Sequence, residues 1–401
     1  VNEAAFAGVK VLEHCELVSG PYCAKLLADL GAETIKIEKP ETGDEARRRG
    51  PFLDDIPHPE RSGLFLYLNT NKLGITLNLE TSTGKRLFTE LVKNTDILVE
   101  DTAPGTMERL GLGYDTLSEV NPSLIMTSIT PYGQTGPYRG YKAHHLNIYH
   151  ISGQAHFSYT EKRRPNQPPL RGGGYIGDYD AGLSGAVATV AALYKRNLSG
   201  IGQHIDVSKE EALISLDRVD IGTFTNDGVA AMKRRRGMLG GLMPCKDGYV
   251  IIIAPQQHQW EALVKLMGNP EWAQGEKCKD ESVRAENADE LQLLIEEWML
   301  QHTRDEIYHR GQSFSCPVGV VNSAADVFNS PQMNERGFFV EIDHPEAGKL
   351  RYPSASYKFS ETPWRVSRAA SLLGEDNLEV YCGRLGYSTE ELAEMKASGI
   401  I

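Results

Sequence analysis

The chain has 401 residues, 40% of them hydrophobic and 24% charged, and a net charge of −12. The acid surplus argues against a nucleic-acid binder, and no apolar run approaches the ~20 residues needed to span a bilayer. The length allows two or three domains at roughly 100–200 residues each, and the opening Val1-Asn-Glu-Ala-Ala-Phe6 does not read as a signal peptide.

In chain order, residues 9–14 read as a strand. Ser19-Gly20-Pro21 then turns into a helix over residues 22–30, with Pro in its first turn and Gly31 at its end. Strands are expected at 34–38 and 75–79. A helix follows from Thr81 through Lys93, with Leu87, Leu91 and Val92 on one side, and then strands at 96–100 and 124–128. Strands alternating with helices argue for a mainly parallel sheet covered on both faces. Residues 181–196 are apolar nearly all round and are expected to form a central, buried helix, in which Gly182 and Gly185 permit close backbone approach. A strand at 204–208 and a helix at 209–216 complete the first half.

The character changes near Asn226. Residues 233–241 are basic and contain glycine, as a linker or mobile loop would. Beyond them a strand at 248–253, helices at 260–267, 291–302 and 304–311, a strand at 318–321 and a helix from Ala324 suggest a second, smaller α/β domain. The tail returns to a strand at 338–342 and ends in a helix over 389–397.

Motifs that would name a chemistry are mostly absent. The cysteines Cys15, Cys23, Cys245, Cys278, Cys316 and Cys382 are scattered without a CxxC pair and read as reduced thiols of a cytoplasmic protein. Gly172-Gly-Gly174-Tyr-Ile-Gly177 fits the dinucleotide fingerprint in spelling only, because a proline-rich stretch precedes it where a strand belongs. Ser82-Thr-Gly84-Lys85 imitates the end of a phosphate-binding loop, but Leu79 stands where its first glycine belongs. No zinc-type His/Cys cluster and no G-x-S-x-G elbow is present. The basic runs at 47–49 and 233–236 read as solvated surface. Two features stay open. His144-His145 suits acid-base work or a structural role. Asp178, ahead of the helix at 181–196, suits either an N-cap or an exposed, ionised nucleophile held among glycines.

Taken together, Val11-Leu-Glu13, Ser19-Gly-Pro21, Leu27-Ala-Asp-Leu-Gly-Ala32, Ile35-Lys-Ile-Glu38, Gly43-Asp-Glu-Ala-Arg47, Asn69-Thr-Asn-Lys72, Thr130-Pro-Tyr-Gly-Gln-Thr-Gly-Pro137 and Gly177-Asp178 resemble one family. The similarity continues through Pro104-Gly105, Arg109-Leu-Gly111 and Gly200-Ile-Gly-Gln-His-Ile-Asp-Val207 and runs through almost the whole chain. That family is the class III CoA-transferases, which include formyl-CoA and carnitine-type transferases and have α-methylacyl-CoA racemase as a relative.

The resemblance implies an α/β fold with a large Rossmann-like domain built from both chain ends (1–225 and 329–401) around a small domain (226–328). It implies an interlocked homodimer, with no metal, nucleic acid or membrane partner. Its implied substrates are coenzyme A, as acyl-CoA, and a carboxylic acid. Asp178 would be the catalytic aspartate, forming a mixed anhydride and then a CoA thioester. Leu17, Val18, Lys39, Lys72, Asp101, Arg109 and Lys142 would lie at CoA-binding positions, and Arg47 would either join them or pair with Asp44. His144 falls near the histidine that the racemase relative uses for α-proton removal. That relative's glutamate has Gln256 as its counterpart here, and an amide is no base. Racemisation and non-catalytic CoA binding are the alternatives to transfer.

Overall fold

A computed structural model describes residues 4–157, 168–216, 218–228 and 239–401. The chain divides into two compact units, Val1–Gly228 with Phe338–Ile401, and Val229–Gly337.

The first unit is built on six strands, β1 (Lys10–His14), β2 (Glu33–Glu38), β3 (Lys72–Thr76), β4 (Ile97–Glu100), β5 (Ile125–Thr130) and β6 (Gln203–Ser208). They form one sheet in the order β3-β2-β1-β4-β5-β6, and every neighbouring pair is parallel. β4 and β5 are buried along their whole length, as expected of strands covered on both faces. The strand order reverses direction between β1 and β4, the doubly wound order that leaves a crevice at the carboxyl ends of the strands.

Two helices close the face beside that reversal. Ser19–Ala28 follows β1, and the 24-residue helix Ile176–Ser199 precedes β6. They approach closely because Gly182 lacks a side chain: a Cβ there would lie 2.6 Å from the carbonyl oxygen of Ser19. At Gly185 a Cβ would lie 2.8 Å from Ile129 Cδ1 of β5.

Two expectations change here. The long helix begins at Ile176, so Asp178 is its third residue and not its cap; its N–H already bonds Tyr175 O at 2.9 Å. Nor is the helix buried all round. Ala181, Gly185, Ala186 and Ala192 face the unit, whereas Leu183, Val187, Tyr194 and Leu198 are 49–71% exposed. Apolar character on both sides does not bury both when only one side meets the sheet and the first helix.

The tail closes the free edge of β3. Asp376 accepts from Gly74 N–H at 2.7 Å and Asn377 from Thr76 N–H at 2.9 Å, while Tyr381 donates to Thr76 O at 2.7 Å. Val380, Tyr381, Met395 and Ile401 join Leu12, Ile37 and Phe88 in one core. Side chains thereby satisfy backbone groups that an edge strand would expose. The same region corrects the strand expected at 75–79. β3 ends at Thr76, and Leu77 and Leu79 are buried beyond it in the core, so their alternation imitates a strand. The tail also contributes the antiparallel hairpin β10 (Phe339–His344) and β11 (Gly348–Pro353).

The second unit carries β7 (Gly240–Cys245), β8 (Gly248–Ile253) and β9 (Val318–Val320) in an antiparallel sheet, flanked by helices. Its core gathers Met243, Val250, Ile252, Trp260, Leu263 and Ile295. The basic run at 233–236 lies outside the described residues.

Candidate active site

A cleft of about 1190 Å³ opens at the carboxyl ends of the first unit's strands. Cys15, Glu16 and Leu17 after β1, Lys39 and Pro40 after β2, Asp101 and Thr102 after β4, Pro131 after β5 and Lys209 after β6 all line it. The sheet order thus brings five separate chain segments to one place.

Asp178 lies in this cleft with 8% of its surface exposed. Its two oxygens have different surroundings. Oδ1 accepts from Ser19 Oγ at 3.0 Å and from Lys209 Nζ at 2.9 Å. Oδ2 has His145 Nδ1 at 3.6 Å, beyond a hydrogen bond. Ser19 opens the helix after β1 and Lys209 the helix after β6. Gly177 lets the long helix reach them, since a Cβ there would lie 2.8 Å from Leu213 Cδ1.

His145 is the first residue of the helix His145–Ile151 and is 8% exposed. Neither ring nitrogen has a hydrogen-bond partner among the described residues. Burial lowers its pKa against the opposing pull of Asp178, so the ring stays neutral at neutral pH. His144 is exposed at the cap, where its N–H donates to Asn147 Oδ1 at 3.0 Å. Only the second of the two adjacent histidines faces the carboxylate.

The other expected site residues divide into two groups. Leu17, Lys39 and Asp101 line the cleft. Leu17 adopts φ 65, a left-handed conformation costly for a branched side chain, and its N–H is held by Asp44 Oδ1 at 2.9 Å. Asp101 accepts from Glu16 N–H at 3.0 Å, and burial raises its carboxyl pKa well above the usual range against the pull of Lys209.

Val18, Lys72, Arg109 and Lys142 do not line the cleft. Val18 is 1% exposed and packs in the core with Phe65 and Leu66. Lys72 is sealed beneath the sheet's end, with Nζ 2.7 Å from Glu13 and 2.8 Å from Pro21 O. Burial pushes its pKa down to about 8 while Glu13 opposes. Lys36 bridges the same Glu13 to Asp44 at 2.8 Å on each side. These lysines neutralise buried carboxylates and have no face left for a ligand. Arg109 is exposed and paired with Glu80 at 3.2 Å, and Lys142 is exposed.

The run Arg47-Arg48-Arg49 is also split. Arg47 is buried, forked onto Glu38 at 2.7 and 2.8 Å and stacked over Phe65, so Glu38 and Glu60 are its partners in place of Asp44. Arg48 donates to Thr42 O, and Arg49 lines the cleft.

Ser19, Lys209, Arg49 and Arg171 are lining or contact residues that the sequence reading did not single out. Lys209 carried one usable signal: it directly follows a predicted strand in a parallel sheet, where ligands gather. Arg171 lines the cleft exposed, with no hydrogen bond or ion pair to the described residues, and its charge acts on His145. Among the described residues no group of three or more His, Cys, Asp or Glu is arranged to hold a metal ion, and no helix is long and apolar enough to cross a membrane.

Residues 6–377 match the description of CoA-transferase family III. The chain is 32% identical to the formyl-CoA:oxalate CoA-transferase of Streptomyces avermitilis over 418 residues, covering 99% of each. It is 32% identical to the succinyl-CoA–L-malate CoA-transferase beta subunit of Chloroflexus aurantiacus over 405 residues, covering 98% of each. It is also 32% identical to that organism's succinyl-CoA–D-citramalate CoA-transferase, covering 98% of this chain and 97% of the relative. A CaiB/BaiF family protein from Brucella suis has the same fold, with a TM-score of 0.84 and 29% identity over 96% of this chain and 100% of that one.

Proposed function

The chain belongs to CoA-transferase family III and is an enzyme that transfers CoA; on that premise we propose that it moves CoA from an acyl-CoA to a carboxylic acid through Asp178. The observation that carries this reading is the asymmetry of Asp178 in the cleft: Oδ1 is held by two donors, and Oδ2 accepts no hydrogen bond among the described residues. Oδ2 attacks the thioester carbonyl and expels CoA thiolate, leaving a mixed anhydride. The thiolate then adds to the aspartyl carbonyl, releasing the first acid and leaving an aspartyl-CoA thioester. The second acid attacks that thioester, and CoA returns to the new acyl group. Each difficult exchange is thus divided in two. A thiolate retained in the cleft avoids a fresh bimolecular encounter, an advantage that can reach roughly 7–11 kcal/mol.

Lys39 and Arg49, exposed at the β2 end of the cleft, suit the phosphates of CoA. Among the described residues Lys39 pairs with the exposed Glu16 alone, at 2.8 Å and with side-chain exposures of 63% and 40%, a contact that an anion can displace. Neutral His145 stands where the acyl group would meet Oδ2. The named relatives act on oxalate, malate and citramalate, each with one carboxyl to take CoA and a second to be recognised. We extend this to a small dicarboxylic acid here, its second carboxylate meeting the guanidinium of Arg171, which has no partner among the described residues. The exposed stripe Leu183, Val187, Tyr194 and Leu198 supports a homodimer, and the division into two units supports a large domain from both chain ends with a small central one.

The test is to screen acyl-CoA donors against mono- and dicarboxylic acids by mass spectrometry, with Asp178→Ala as the control. Full transfer by the alanine variant would overturn the reading. Because His145 stands beside Asp178, α-proton exchange is the second reading. Deuterium uptake at the α-carbon without an acceptor acid would favour it.

A further inference from the structure

We propose that Ser19 and Lys209 form the oxyanion site for the carbonyl of Asp178 itself, so that they act when CoA enters and leaves the aspartyl group. This rests on the reading of Asp178 as the covalent carrier and adds residues to it. The observation is the asymmetry of the carboxylate. Both strong donors converge on Oδ1, at 3.0 Å from Ser19 Oγ and 2.9 Å from Lys209 Nζ, whereas Oδ2 has no hydrogen-bond donor among the described residues and the His145 ring stands 3.6 Å away. Two donors hold the lone pairs of Oδ1 and leave Oδ2 the better nucleophile.

The chemistry then assigns a fate to each oxygen. When Oδ2 attacks the donor's acyl carbon, the carbon–sulfur bond breaks and CoA leaves as thiolate. Oδ2 is now the bridging oxygen of the anhydride, and Oδ1 is the only carbonyl oxygen on the aspartyl side. The thiolate adds to Cγ, and the Cγ–Oδ1 π pair moves onto Oδ1, which takes the negative charge. Collapse of this adduct returns the pair to Cγ and breaks the Cγ–Oδ2 bond. The first acid departs as a carboxylate carrying Oδ2. The acceptor carboxylate adds to the same Cγ, charge falls again on Oδ1, and CoA thiolate is expelled. The acceptor's oxygen becomes the new bridge. Attack of the thiolate on the acceptor's acyl carbon then frees the aspartate and forms the new acyl-CoA.

In both additions to Cγ, charge develops on the atom that already carries an ammonium and a hydroxyl donor. Donors in place before the charge develops need no reorganisation, which is what gives an oxyanion site its effect. The first step places its charge elsewhere, on the donor's own carbonyl oxygen, and should depend on this pair much less. The fold holds the pair in place. Ser19 and Lys209 are the first residues of the helices that follow β1 and β6, and the backbone of Ser19 is packed against Gly182, where a Cβ would lie 2.6 Å from Ser19 O. Lys209 is only 19% exposed on its side chain, so little water competes for it.

The test uses the full-length protein with formyl-CoA and with succinyl-CoA, without acceptor acid, in rapid-quench experiments read by intact mass and peptide mapping. A thiol reagent in a parallel reaction traps released CoA and reports the first step alone. For wild type, the expected product without the trap is a CoA thioester on Asp178. In Lys209→Met, trapped CoA release should slow far less than the step that follows it, since losing this partner removes charge compensation from Asp178 but no donor from the first oxyanion. Conversion of the anhydride to the CoA thioester should slow by about 10²–10³-fold, the range for loss of an oxyanion donor. Ser19→Ala should show the same selective loss to a smaller degree, and Lys209→Arg should recover part of it. A wild-type rate of thioester formation in both Lys209→Met and Ser19→Ala overturns the proposal. So does equal slowing of both steps, which would make the pair merely a support for the carboxylate. No adduct on Asp178 in wild type with either donor would overturn the carrier reading, and this inference with it, an outcome distinct from the other two.

Discussion

Lys209 Nζ lies 2.9 Å from Oδ1 of Asp178 across an interval of 31 residues. One residue opens the helix after β6, and the other sits in the first turn of the helix before it. The pair gives Asp178 a compensating charge in a cleft where an unpaired carboxylate would be costly. It engages only one oxygen, so compensation does not block reaction at the other.

Asp178→Asn keeps the shape and the Ser19 contact but removes the negative charge. CoA transfer should fall by about 10³-fold or more, as for loss of other covalent nucleophiles. Circular dichroism and thermal melting should show a folded protein. Activity within tenfold of wild type would place the nucleophile elsewhere.

Gly182→Ala tests the packing that positions Ser19. The new methyl would lie 2.6 Å from Ser19 O and 3.2 Å from Tyr22 Cβ, so one helix must shift. Overpacking of this kind costs about 1–3 kcal/mol. Urea unfolding should report that loss, and kcat should fall although residue 182 touches no substrate. Unchanged kcat together with the stability loss would separate Ser19's position from catalysis.

Lys72 and Lys39 should differ in kind. Lys72→Met leaves Glu13 buried with one partner gone, which should cost about 3–5 kcal/mol in denaturant unfolding. Lys39→Ala should leave stability within about 0.5 kcal/mol and raise the KM for acyl-CoA, with a weaker salt dependence than wild type. If Lys72→Met instead raised KM at undiminished stability, its assignment as a structural ion would fail.

His14 should give stability a pH dependence. Its Nδ1 is buried without a partner among the described residues, and burial, aided by Lys36 and Lys39, lowers its pKa to about 4 from 6.5. The unfolded chain therefore takes up the proton first. Stability is lost as pH falls from 6.5 toward 4, by up to about 3 kcal/mol, and the loss levels off below that. Urea midpoints at pH 7, 5.5 and 4 should show this fall, and His14→Gln should flatten it. Identical slopes in both proteins would remove His14 as the cause.

Val187→Glu places a charge in the middle of the exposed apolar stripe, at a residue 64% exposed. If a second copy covers this face, sedimentation should show a shift from dimer to monomer. A monomeric wild type would assign the stripe another purpose.

Local order was readable from the residues because its causes are local. Thr81 accepts from Gly84 N–H at 2.9 Å and caps the helix expected there. The helix 209–216 begins and ends where its pattern does. Patterns that satisfy two structures were misread. Leu77 and Leu79 alternate like a strand but fill a core beyond one. Charged residues misled for a related reason: Lys36, Lys72 and Arg47 look like surface or ligand groups, and their buried partners Glu13, Asp44 and Glu38 cannot be assigned without the sheet.

By itself the sequence determined the alternation of strands and helices, the parallel sheet that alternation demands, and the family through its ordered motifs. It also singled out Asp178, because a carboxylate among glycines at a helix start is a local feature. Only the tertiary structure decided which oxygen of Asp178 is free. Ser19 is 159 residues away and Lys209 is 31 away. Their meeting depends on the strand order, on which helices the glycines allow to touch, and on the first turns that aim side chains into the crevice. Sequence spacing does not encode these distances. Packing does, because each contact follows from the summed placement of every element between the residues.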